Sequence, residues 1–137
     1  MASPSPKAEI VKRFREATGM GWMASKLFLA GKSPELCERI LEARVQQPGE
    51  NTLHDPIEDH PDYAATIATI RMTVEVEIRE EIARENAVRR ASGNATVLID
   101  WPRGTCHLMW RRMKERLATK DITWYSLADM NPGHIFD

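Results

Sequence analysis

The chain is poor in most of the features that would name a chemistry. Its 137 residues include only two cysteines, Cys37 and Cys106, far apart and in no metal-type spacing. That pattern suits a reducing compartment better than a disulfide scaffold. Neither charge sign dominates, since the formal net charge is -1, so any charge-driven binding must come from local patches. No apolar run is long enough to span a bilayer, and MASPSPK at the start lacks the apolar core of a secretory signal. These observations set the expectation of a cytoplasmic protein with no membrane partner. Strand-like runs are almost missing as well: TVLIDW, residues 96–101, stands alone, and Pro102 cuts it off. No internal repeat or low-complexity segment occurs.

What is present is ordinary globular composition, 42% hydrophobic and 28% charged, in a chain able to bury roughly two-thirds of its unfolded surface. The apolar periodicity is helical. Ile10, Val11, Phe14 and Ala17 share one face, and Thr18-Gly19 ends that helix because glycine tolerates positive φ. A second helix over about 22–30 is read with Met23, Leu27 and Ala30 inward. Ser33-Pro34-Glu35 is a strong start for a third: a hydroxyl cap, proline where no N–H is needed, and an acid in the first turn. Leu36, Cys37, Ile40, Leu41 and Ala43 form its inner face. Helices this short must pack together to persist.

Residues 47–60 read as an acidic linker, with Pro56 breaking any helix. A long helix is expected from near Pro61, with Asp59 as its cap. Tyr63, Ile67, Ile70, Val74, Ile78 and Ile82 form a stripe at helical spacing. The stripe is core, or a homodimer seam over 67–82 if partner helices are too few. A basic helix spans about 105–120, carrying Arg111, Arg112, Lys114, Arg116 and Lys120, with Leu108, Met109, Met113 and Leu117 inward. Ser126 and Asp129 have capping-box spacing for a last turn. Ile135 and Phe136 are expected to dock as an apolar latch.

The expected fold is therefore mostly α. It comprises a flexible tail over 1–6, a three-helix module over 7–46, the linker over 47–60, and a long helix plus helical unit with one extended segment over 61–137. One stretch carries a family resemblance. Val11, Lys12, Arg15, Glu16, Thr18, Gly19, Gly21, Met23 and Lys26 fall in register with the amino-terminal domain of translation elongation factor Ts. Met20-Gly21-Trp22 also looks like the turn of ubiquitin-associated (UBA) domains, and the carboxy-terminal domain of ribosomal stalk protein L7/L12 has a related run. The resemblance covers the first third of the chain and implies a UBA-like three-helix fold with a docking surface. The segments that eject nucleotide in the elongation factor have no counterpart after Pro48, so nucleotide exchange is not implied.

Functional candidates follow from these elements. Met20, Gly21 and Trp22 form the expected docking loop, with Trp110, Arg111 and Arg112 as a second protein-binding surface, since Trp and Arg are enriched at interfaces. The leading expectation is a non-enzymatic intracellular protein-interaction module, of the adaptor, inhibitor or immunity type, whose partner is another protein. The alternative is a nucleic-acid-binding regulator of mobile-element type, with Arg111, Arg112, Lys114, Arg116 and Lys120 tracking phosphates. His54, Glu58 and His60 are weak metal candidates, because the prolines spoil a shared ligand face. Cys106-His107 could pair as thiolate and base, but helical neighbours point apart and no orienting acid stands near in sequence. No cofactor is expected.

Overall fold

The computed structural model describes residues 7–94 and 101–136. The protein is mostly helical, and every regular element among the described residues is a helix. The run read as a strand falls largely on residues 95–100, outside the described residues, as does the tail over 1–6. The chain divides into two compact units. The first takes the chain through Glu58 and adds Tyr125–His134; the second is Asp59–Trp124 with Ile135–Asp137. This revises the expected organisation. Residues 47–58 belong to the first unit rather than to a linker, and a ten-residue stretch near the end of the chain belongs with them.

In the first unit, α1 (Ala8–Thr18), α2 (Trp22–Leu29) and α3 (Pro34–Gln46) enclose a core of Val11, Phe14, Leu29, Cys37, Ile40, Leu41 and Ala43. The joins follow local chemistry. Gly19 closes α1 at φ 75°, its N–H donating to Arg15 O at 2.8 Å. Thr18 Oγ1 donates to Phe14 O at 2.7 Å and accepts from Met20 N at 3.2 Å, which fixes the turn that follows. Ser33 caps α3 through Leu36 N at 3.1 Å. The Phe14 and Phe28 rings stack with centroids 5.0 Å apart.

The phase of α2 differs from expectation. Ser25 and Leu29 are its buried residues, while Met23 and Leu27 are 64% and 68% exposed and Ala30 is exposed. The reason is composition: WMASKLFL is apolar nearly all round, so periodicity does not select a face and packing against α1 does. Ala17, expected inward, is also exposed.

Beyond α3 the chain has no regular ladder, and side chains substitute for one. The Gln47 amide donates to His54 O at 2.9 Å and accepts from His54 N at 3.1 Å. The Asn131 amide does the same for Leu53, accepting at 2.7 Å and donating at 2.6 Å, with a further bond to Leu127 O. Asp55 is fully buried. Its carboxylate receives Arg39 on both oxygens at 2.8 and 2.9 Å, Ile57 N at 3.0 Å and Tyr125 N at 2.9 Å. Leu53, 1% exposed, completes the core together with Met130 of α6 (Leu127–Met130). Ser126 and Asp129 form the capping box of α6.

In the second unit, α4 (Ala64–Ala91) packs on α5 (Thr105–Ala118). At 28 residues α4 is about 42 Å long. It starts later than expected, and its N-cap residue Tyr63 makes no side-chain cap; Asp59 lies instead in a 3-10 turn, Pro56–Asp59. Ile67, Ile70, Val74 and Ile78 are buried, as are Trp110, Met113 and Leu117 of α5. Gly93 at φ 79° ends α4, with Asn94 N on Arg89 O. The equivalent stop after α5 uses Asp121 at φ 58°, with Ile122 N on Leu117 O and Asp121 N on Ala118 O. Among the described residues no helix is long and apolar enough to cross a membrane.

Candidate functional site

The tight turn at Gly19 delivers the chain into α2 and, in doing so, separates the three expected docking residues. Met20 is half-buried and packs against the core. Gly21 is the N-cap of α2, extended at φ -67°, with open space where a Cβ would stand. Trp22 begins the helix and is 42% exposed, with the Arg15 guanidinium 5.8 Å from its ring centroid. On a helix, positions 22, 23, 26 and 27 cluster on one side. The outer side of α2 therefore presents Trp22, Met23, Lys26 and Leu27 together, three of them large and apolar and well exposed. No aspartate or glutamate occurs from Ala17 to Pro34, and Arg15 and Lys26 are the cations beside this face. The sequence reading missed Met23 and Leu27 because it assigned them inward; the signal was the apolar excess of α2 itself.

A second feature of the same unit is a groove of about 490 Å³ lined by Phe14, Ala17, Thr18, Met20, Phe28, Arg44, Pro48 and Gly49. Arg44 Nε is buried there without a hydrogen-bond partner. Close by in sequence, Lys32 donates to Phe28 O and lies 4.8 Å from the Phe28 ring centroid. Burial lowers the Lys32 pKa from its ordinary value, and burial likewise raises that of Cys37.

The second expected surface is reorganised by packing. Trp110 is only 8% exposed. His107 stands edge-on to it at 5.2 Å and Phe136 at 5.4 Å. Arg112 grips Glu81 of α4 with two nitrogens, one at 2.8 Å, and Arg116 reaches Glu77 at 2.8 Å. The Arg112 hydrogen bond lowers the Glu81 pKa from its usual carboxylate value, and the same bond raises that of Arg112. Trp110 therefore serves the core, and of the five cations expected on the basic helix Arg112 and Arg116 are turned onto α4, while Lys120 lies past Ala118, where α5 ends. Arg111 remains exposed, as does Lys120. The partners of Arg112 and Arg116 are α4 glutamates.

The seam proposed for a homodimer is used within the chain: Ile67, Ile70, Val74 and Ile78 are buried, and only Ile82 and Tyr63 at its ends keep solvent contact. The residues considered for chemistry are not assembled into a centre. His54 is held through its backbone by Gln47, and His60 Nδ1 accepts from Asp62 N at 3.1 Å. Among the described residues no three His, Cys, Asp or Glu side chains are grouped to hold a metal, and Glu58 joins none. His107 Nε2 donates to Phe136 O at 2.8 Å, facing the carboxy-terminal segment. Half of the expected latch is in place there: Phe136 docks on Trp110, whereas Ile135 is 90% exposed. No protein-family model, curated protein or solved structure matched this chain.

Proposed function

We propose that this chain is a non-enzymatic, cytoplasmic protein-interaction module whose first three helices are UBA-like, and that it docks on another protein through the outer face of α2. One observation carries the reading. Trp22, Met23 and Leu27, at 42%, 64% and 68% exposed, form a contiguous apolar face on an eight-residue helix. Scattered apolar residues on a surface are common; three large ones side by side, rimmed by Arg15 and Lys26, are what an interface core and its polar rim look like. Trp22 is the natural anchor, since its ring is already held by Arg15 and loses little freedom on binding. The pairing of Arg112 and Arg116 with glutamates weighs against the nucleic-acid alternative, because cations already neutralised release fewer counterions on binding.

The test is a pull-down from the source cells with wild-type protein and with Trp22→Ala, Leu27→Ala and Lys120→Ala. Partner recovery is expected to fall at least about tenfold for the first two and to stay level for the third. All four proteins should show the same far-UV spectrum. Undiminished recovery with both Trp22→Ala and Leu27→Ala removes the α2 face as the docking surface.

A further inference from the structure

The groove beside the α1–α2 turn is separate from the outer face of α2. Phe28, which lines it, lies well round the helix from Met23 and Leu27. Its walls are apolar or weakly polar: Phe14, Ala17, Met20, Phe28, Pro48 and the Gly49 backbone. The Thr18 hydroxyl is already engaged, donating to Phe14 O and accepting from Met20 N. That leaves Arg44 as the one charged side chain in the lining, and it has no ion pair among the described residues. Its neighbours on α3 are spent differently. Arg39 is committed to Asp55, and Glu42 accepts from Gln46. The Arg44 guanidinium is the one charge this lining offers, and the group that best complements a guanidinium is a carboxylate.

We propose that this groove binds a glutamate or aspartate side chain of a partner protein, with an adjacent apolar side chain lying against Phe14, Met20 and Phe28. Charge complementarity fixes the choice of occupant: the lining contains a cation and no acid, and the chain from Ala17 to Pro34 contains no acid either. The volume, about 490 Å³, accommodates two side chains. Arg44 then supplies specificity and the ring pair supplies area. This inference is independent of the α2 face, since no residue named for that face lines the groove.

The experiment follows the Arg44 Nε–H and the Thr18 and Gly49 amides of the full chain by NMR. The probe is a capped pentapeptide with one glutamate flanked by two leucines, titrated into the millimolar range. Controls are the same peptide with glutamine in place of glutamate, and the glutamine peptide with a free carboxy terminus. Saturable shifts with the glutamate peptide alone support the proposal. Equal shifts with the glutamine peptide, or none with any peptide, overturn it, and binding only of the free carboxy terminus overturns the side-chain assignment. Arg44→Gln is expected to weaken the glutamate peptide about tenfold, with Arg44→Lys recovering part of the loss. Because the readout is local to the groove and needs no cellular partner, its failure leaves the α2 result untouched, and the converse holds as well.

Discussion

The two units of this protein place their charged residues in opposite circumstances. In the first unit a carboxylate, Asp55, is fully buried and receives four hydrogen bonds, and the side-chain amides of Gln47 and Asn131 take over the backbone pairing that a strand would supply. In the second, the charges lie along the outside of an apolar seam: Arg112 on Glu81, Arg116 on Glu77, Arg79 on Glu75. Polar contacts decide a structure where the backbone cannot satisfy itself. Residues 47–58 have few apolar side chains and no regular ladder, so their backbone groups need named partners, and losing one strands a buried donor or acceptor. Along α4 and α5 the helices satisfy their own backbones, so their ion pairs are accessory to packing.

The largest effect is expected at Asp55. Asp55→Ala removes the Arg39 ion pair and the acceptor of the Ile57 and Tyr125 amides, and is expected to cost about 4 kcal/mol in denaturant unfolding. Hydrogen exchange at those two amides should lose its protection first; unchanged protection there would show that Asp55 does not hold the segment. In the second unit an effect of that order needs a core deletion instead. Met113→Ala, at a residue with no exposed surface, is expected to cost about 3 kcal/mol.

Smaller effects are expected in the second unit. Asp121 holds a left-handed conformation that glycine adopts freely, as Gly93 does at the end of α4. Asp121→Gly is expected to raise stability by about 1 kcal/mol, and a loss would mean that the Asp121 side chain itself holds the α5 stop. The surface pair should matter least. A double-mutant cycle on Glu81 and Arg112 is expected to give a coupling under about 1 kcal/mol, shrinking with salt. Its pH dependence has a fixed sign. Arg112 lowers the Glu81 pKa below the ordinary 4.5, so the contribution is full above 4.5 and fades as pH falls through the lowered value. Glu81→Gln should flatten that part of the stability profile; an unchanged profile would show that the pair does not hold in solution.

Much of the architecture was legible in the residues. Ser33-Pro34 marked α3, Thr18-Gly19 the end of α1, the isoleucine stripe the buried face of α4, and Ser126 with Asp129 the start of α6. Each is a local rule: a cap, a turn or a period. Legibility failed wherever the answer depended on a residue distant in sequence. Asp55 read as one acid of a solvated connector because Arg39 and the Tyr125 amide, 16 and 70 positions away, leave no trace in its neighbours. Trp110 read as a surface residue because Phe136 is 26 positions further on. The site suffered similarly. Trp22 lies at the surface, Met23 and Leu27 face outward against the expectation, and the unsatisfied Arg44 Nε has no signal among its sequence neighbours.

The mostly helical character, the places where most helices start and stop, and the lack of any stretch long and apolar enough to span a bilayer follow from the amino-acid order alone. Those properties rest on backbone propensity, capping and hydrophobic period, which act within a few residues. Only the tertiary structure decided which side of the all-apolar α2 faces outward, which acid is buried and which is solvated, and which arginine is left facing a groove without a partner. Those outcomes depend on who excludes water from whom, and that is settled when distant segments pack.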